Sequence, residues 1–297
     1  MHPATVLRAP AKINLTLEIL ARREDGYHNL RSVFLPVGLY DELIVEPAAS
    51  FSFACEPASL AADNLVVRAL ERIGLGTVPF ALQLRKQIPV GAGLGGGSSD
   101  AAAVLRAAAA GTFGPPPARD WIADARALGS DIPFFLTGTG ALVEATGERV
   151  TALGALPPWW VVVLAPDVHV DTGAAYRALA DERRARPVEV RARSGSASLR
   201  ALEAVQRGDL GAALAAATND FEPLIAARYP PVAAALAALR AAGAAPAMLS
   251  GSGGATFALC ADEAGARALA SRLVTPAGAR SFVVPLAAEA AWRGSAA

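Results

Sequence analysis

Residues 12–20 (K-I-N-L-T-L-E-I-L) alternate as far as Ile19. Ile13, Leu15, Leu17 and Ile19 share one face, and Lys12 and Asn14 share the other. A period of two predicts a half-buried strand. Residues 32–37 and 42–46 read as further strands, and alternation returns at 80–85 in another. Asp63-Asn64 opens a helix to about Ile73, which Gly74 and Gly76 stop. The alanine-rich run 98–110 predicts a second helix, Pro115-Pro116-Pro117 breaks it, and 118–128 predicts a third that Gly129 ends. Short strands are predicted at 140–143 and 149–150. Residues 159–165 (W-W-V-V-V-L-A) are continuously apolar and predict a buried strand. Beyond it, strands are predicted at 247–249, 256–260 and 281–286, and helices at 171–180, 199–206, 210–217, 232–241 and 263–273. Residues 183–198, charged and then Gly/Ser-containing, predict an exposed, mobile connection. Strands and helices interleave in both halves, which predicts an α+β fold. A linker at 153–158 divides it into domains 1–155 and 156–297.

Composition narrows this picture. A chain of 297 residues with 53% hydrophobic content can bury two sizeable cores. The 27 basic residues balance the 27 acidic ones, so bulk charge gives no nucleic-acid footprint. The apolar runs are too short to span a membrane and no signal-peptide core opens the chain, so a cytoplasmic location is expected. Cys55 and Cys260 lie far apart without metal spacing and are expected as buried small residues in a reducing compartment. Only Lys12 and Lys86 are lysine, leaving 25 arginines among the 27 basic residues. A lysine kept against that bias offers a compact charge that arginine cannot copy. Lys86 itself is expected as an exposed strand-end residue.

The densest chemical signal is 89–100, P-V-G-A-G-L-G-G-G-S-S-D, with five glycines in seven positions. It feeds a helix start, so free N–H groups and the positive end of a helix dipole converge on one spot that suits phosphate. It is not a Walker A loop, because no G-K-[ST] follows. It approximates G-x-G-x-x-G but lacks the preceding strand and later acidic residue of a dinucleotide fold. A plain turn would need only one or two glycines.

Three more segments carry candidate chemistry. Lys12 and Asn14 face away from the apolar set of their strand; the bland alternative is a solvent-facing polar face. Asp131 in G-S-D-I-P-F-F (129–135) sits among glycine, proline and aromatics; the alternative is a helix cap or Asx-turn before Pro133. Residues 250–254 (S-G-S-G-G) form a second small-residue loop; the alternative is a plain hairpin turn.

Together these segments resemble the GHMP kinase superfamily, with its N-terminal P-A-K strand, its P-x-G-x-G-L-G-S/G-S-S loop and its C-terminal glycine-rich loop, present here in that order. P-A-K-I-N-L-T-L, R-R-E-D-G-Y-H-N-L-R-S-V-F, L-G-G-G-S-S-D-A-A and G-S-D-I-P-F-F narrow the likeness, as does Asn219-Asp220-Phe221-Glu222. They are similar to the branch that phosphorylates a hydroxyl of a cytidine-diphosphate-linked methylerythritol, a small-molecule substrate of the non-mevalonate isoprenoid pathway. The resemblance implies a domain like the second domain of ribosomal protein S5, followed by a ferredoxin-like domain, with the site between them. It implies Lys12 and Asp131 as the catalytic pair. It implies that Pro89, Val90, Gly91, Ala92, Gly93, Leu94, Gly95, Gly96, Gly97, Ser98 and Ser99 hold ATP. Mg2+ would be bound mainly through the ATP phosphates, with no protein ligand assigned. Tyr27 and His28 match the cytidine-recognition pair, and Tyr176 a second aromatic against the base, with a core aromatic as its alternative. Asn14 and Thr172 match diphosphate or sugar contacts. Ala21 and Ala145 stand where that branch usually has glycine. A mevalonate-type or homoserine kinase is the nearest alternative, and D-G-Y-H speaks against it. A non-catalytic nucleotide-binding relative is a more distant one, and the intact Lys12, Asp131 and glycine loop speak against it.

Overall fold

The computed structural model describes residues 4–22, 28–185, 196–287 and 295–296. Tyr27 lies outside the described residues. Two long antiparallel strands, β1 (Thr5–Arg22) and β2 (His28–Pro47), dominate the first half. The two strands expected at 32–37 and 42–46 are one continuous β2. Its Gly38 and Leu39 face a register shift at Pro10/Ala11, which lets the pair bend without breaking. β3 (Ser52–Glu56) was not anticipated and runs parallel to β4 (Phe80–Arg85). Helix α1 (Leu65–Arg72) is capped by Asn64, whose side chain accepts from the Val66 N–H. Helix α2 (Gly96–Ala109) follows the glycine loop, beginning two residues before the expected start. Then come α3 (Trp121–Leu128), capped by Asp120, the short α4 (Ile132–Phe135), β5 (Ala141–Ala145) and β6 (Arg149–Ala152).

The chain then crosses to a second, four-stranded antiparallel sheet built on β7 (Trp160–Ala165). Its order is β11-β7-β10-β9, with β9 (Met248–Leu249), β10 (Thr256–Cys260) and β11 (Arg280–Pro285). Around it lie α5 (Thr172–Ala185), α6 (Ala197–Arg207), α7 (Leu210–Ala216), α8 (Glu222–Arg228), α9 (Pro230–Ala241) and α10 (Glu263–Arg272). Two short strands from the second half, β8 (Thr218–Asn219) and β12 (Ser295–Ala296), join the first sheet beside β1. The halves are therefore stitched together along β1.

That stitching explains why β1 is not half-exposed. Lys12, Asn14, Thr16 and Glu18, on its polar side, are all buried. Helices α2 and α6 both pack on the strand. Glu18 accepts from the backbone N–H groups of Ala197 and Ser198 and from the Ser196 hydroxyl, so a buried carboxylate caps α6. The exposed connection expected over 183–198 is thereby corrected at both ends. Residues 183–185 belong to α5, and Ser196 to Ser198 are buried beneath Glu18; 186–195 lie outside the described residues.

Candidate active site

Two glycine loops, one from each half, interlock at the centre of the molecule. Gly93 adopts φ 81°, and a Cβ there would come within 2.2 Å of the Ser250 carbonyl oxygen. Gly253 is as tightly placed, since a Cβ would meet the Gly93 nitrogen at 2.1 Å. The Ala255 N–H donates to the Ala92 carbonyl at 2.9 Å, and the Ser250 hydroxyl to the Gly93 carbonyl at 3.2 Å. Only glycine permits this approach. Gly95, at φ 73°, then turns the chain into α2, whose first turn carries no acidic side chain. Its leading N–H groups open towards the cavity as an anion seat.

The Lys12 N–H donates to the Leu94 carbonyl at 2.9 Å, which ties β1 directly to this loop. The buried Lys12 ammonium donates to Asn14 Oδ1 at 2.6 Å and lies 4.8 Å from the centre of the Phe34 ring. Asn14 in turn donates to the Ser32 hydroxyl at 3.0 Å, which fixes the amide with its oxygen towards Lys12. Burial pulls the Lys12 pKa below the ordinary lysine value, and the Asp131 charge opposes that shift. Asp131 stands at the N-terminal edge of α4, yet its side chain makes no capping bond. Instead its Oδ2 lies 3.9 Å from Lys12 Nζ, with the carboxylate about a third exposed.

Lys12, Asn14, Asp131 and the loop from Pro89 to Ser98 line one cavity of about 1150 Å³. Ser99 lies fully buried beneath the loop and does not line it. His28, Thr172 and Tyr176 line the same cavity. Thr172 accepts from the Ser252 hydroxyl at 3.1 Å, which brings the second glycine loop to its wall. Tyr176 combines a core contact with a place on the cavity wall. Its ring packs edge-on against buried Phe221 at 4.8 Å, and it also faces the cavity 6.2 Å from the His28 ring. Burial, with Asp131 adding to it, drives the Tyr176 hydroxyl pKa upward and keeps it neutral.

Lys86 is not the exposed residue expected. It is buried between two carboxylates, donating to Asp100 Oδ2 at 2.5 Å and to Asp41 Oδ2. Asp41 also accepts from the backbone N–H groups of Gln87 and Ile88, at 2.5 and 2.8 Å. Burial alone would lower the Lys86 pKa, but Asp100 and Asp41 outweigh it and raise it. Desolvation pushes the Asp100 carboxyl upward, Lys86 pulls it back, and Asp41 adds to the rise. The cluster braces the start of α2, since a Cβ on Gly96 would stand 3.1 Å from Lys86 Nζ. Its signal in the sequence was the scarcity of lysine. Gly251 and Ser252 were also absent from the expected site residues, although their loop was singled out.

The GHMP kinases N terminal domain model matches residues 64–139, and the GHMP kinases C terminal model matches 201–277. The 4-diphosphocytidyl-2-C-methyl-D-erythritol kinase of Symbiobacterium thermophilum is 42% identical over 268 residues, 87% of this chain and 92% of that protein. The chain belongs to the 4-diphosphocytidyl-2-C-methyl-D-erythritol kinase family of the GHMP kinases. A crystal structure of a 4-(cytidine 5'-diphospho)-2C-methyl-D-erythritol kinase superposes with a TM-score of 0.75 at 37% identity, covering 95% of this chain and 99% of that one. Homoserine kinase from Cytophaga hutchinsonii shares the GHMP fold alone, at 17% identity and a TM-score of 0.67 over 97% of this chain and 96% of that one. Among the described residues, no helix is long and apolar enough to cross a membrane.

Proposed function

We propose that the chain transfers the γ-phosphoryl group of ATP to a hydroxyl of 4-diphosphocytidyl-2-C-methyl-D-erythritol, giving the 2-phosphate and ADP, within the non-mevalonate isoprenoid route. The observation that carries this reading is the meeting of Lys12 and Asp131 in the cavity that the glycine loop enters. Phosphoryl transfer asks a protein for little covalent chemistry. It needs an in-line hydroxyl, a proton acceptor and neutralisation of developing charge. The loop from Pro89 to Ser98 and the first turn of α2 supply N–H groups for the triphosphate, with Ser99 buried behind them. Asp131, free of capping duties and partly exposed, takes the hydroxyl proton. Lys12, held by Asn14, stabilises the transferring group and orients the carboxylate.

Among the described residues, no group of three or more His, Cys, Asp or Glu side chains could hold a metal ion. Mg2+ would come with the ATP phosphates, where it would supply charge neutralisation. Tyr176, His28 and Tyr27 address the cytidine, and Asn14 and Thr172 the diphosphate or sugar. A site of this kind acts on a soluble metabolite in the cytoplasm. The test is ADP release measured with three acceptors in turn. The cytidylated methylerythritol should be turned over; turnover of mevalonate or homoserine instead would replace the reading.

A further inference from the structure

The segment 219–222 was singled out in the sequence but is given no part in the proposed chemistry. One of its two acidic residues, Asp220, makes a closed set of contacts beside the cavity. Asp220 Oδ2 accepts from the Ile19 N–H at 2.8 Å and from Arg183 Nη2 at 2.8 Å. Arg183 Nη1 donates to the Ile19 carbonyl at 2.8 Å. The Asp220 N–H donates to the Leu17 carbonyl at 3.0 Å, extending the parallel pairing of β8 with β1. The two side chains thus saturate the Ile19 peptide as a neighbouring strand would. A guanidinium is needed, because one planar group must reach a carboxylate and a carbonyl together.

The place of this clamp gives it meaning. Ile19 pairs with Leu30, and the β1–β2 register then shifts before Arg22 meets His28. The clamp therefore grips the strand pair just before its last pairing, Arg22 with His28. On α5, Arg183 lies seven residues after Tyr176, two turns along one helix face. Phe221, next to Asp220, is the residue on which the Tyr176 ring packs. One ion pair thereby fixes both walls of the aromatic end of the cavity, the helix bearing Tyr176 and the strand tip bearing His28. We infer that Arg183 and Asp220 are positioning residues that set the affinity for the nucleoside end of the substrate while leaving phosphoryl transfer untouched. The inference rests on the function proposed above.

Steady-state kinetics of Asp220→Asn and Arg183→Lys, with calorimetric binding of CDP, test it. Asp220→Asn should raise KM for the cytidylated substrate about tenfold and weaken CDP binding equally, with kcat and the KM for ATP nearly unchanged. Arg183→Lys keeps one of the two contacts and should raise KM less, by about threefold. Arg183→Gln serves in place of Asp220→Asn if that variant does not fold. A lowered melting temperature with unchanged KM and CDP affinity would make the pair a purely structural brace and overturn the inference. A wild-type protein that binds neither CDP nor the cytidylated substrate would overturn the proposed function, and this inference with it.

Discussion

Lys12 Nζ and Asp131 Oδ2 stand 3.9 Å apart, longer than a hydrogen bond, while the same ammonium donates to Asn14 Oδ1 at 2.6 Å. Asn14 holds the lysine, so the carboxylate is left for an incoming hydroxyl. Asp131→Ala should therefore lower kcat by about 10²- to 10⁴-fold with ATP affinity unchanged, measured by ADP release and equilibrium ATP binding. Unchanged turnover would exclude Asp131 as the proton acceptor.

The contact between the glycine loops makes Gly93 the most exacting position in the site. Gly93→Ala places a Cβ 2.2 Å from the Ser250 carbonyl oxygen on a backbone at φ 81°. Backbone must move to relieve it, parting the two loops. Loss of measurable ATP binding is expected, with destabilisation of about 2 kcal/mol or more in denaturant titration.

The Lys86 cluster should show in the pH dependence of stability. Desolvation, with Asp41 adding to it and Lys86 opposing it, raises the Asp100 carboxyl above its unfolded value near 3.8. The folded state then binds the extra proton. The stabilisation is fully present below the unfolded pKa and is lost as pH rises towards the folded one. Relative to Asp100→Asn, which cannot ionise, the wild type should lose about 1.4 kcal/mol per pH unit between about pH 5 and 6. Parallel stability curves for the two proteins would show that Asp100 is ionised when folded.

Ala145 adopts φ 62° at the end of β5. Left-handed backbone costs an alanine about 1–2 kcal/mol, partly offset by the entropy glycine loses on folding. Ala145→Gly should stabilise the protein by roughly 0.5–1 kcal/mol, read from the denaturation midpoint.

Alternation and glycine patterning made much of the scaffold legible. The strand bearing Lys12, the Asn64 cap and the turn into α2 all follow from local chemistry. Contacts made over long sequence separations did not. Lys86 looked exposed because Asp41 is 45 residues away, and nothing local shows that β2 delivers it. The polar side of β1 looked solvated because Ser196 and Ser198, which cover Glu18, arrive about 180 residues later. β3 was missed because S-F-A-C-E is short and finds its partner only across α1, in β4. At the candidate site the single residues were visible, but which of them share one cavity was not.

The most direct measurement is a crystal structure of the protein with an unreactive ATP analogue and 4-diphosphocytidyl-2-C-methyl-D-erythritol. The acceptor hydroxyl should lie within hydrogen-bond reach of Asp131 and beside Lys12, in line with the γ-phosphoryl group, with the cytosine against Tyr176. A hydroxyl out of reach of both side chains, or phosphates bound away from the loop at 89–98, would contradict the account.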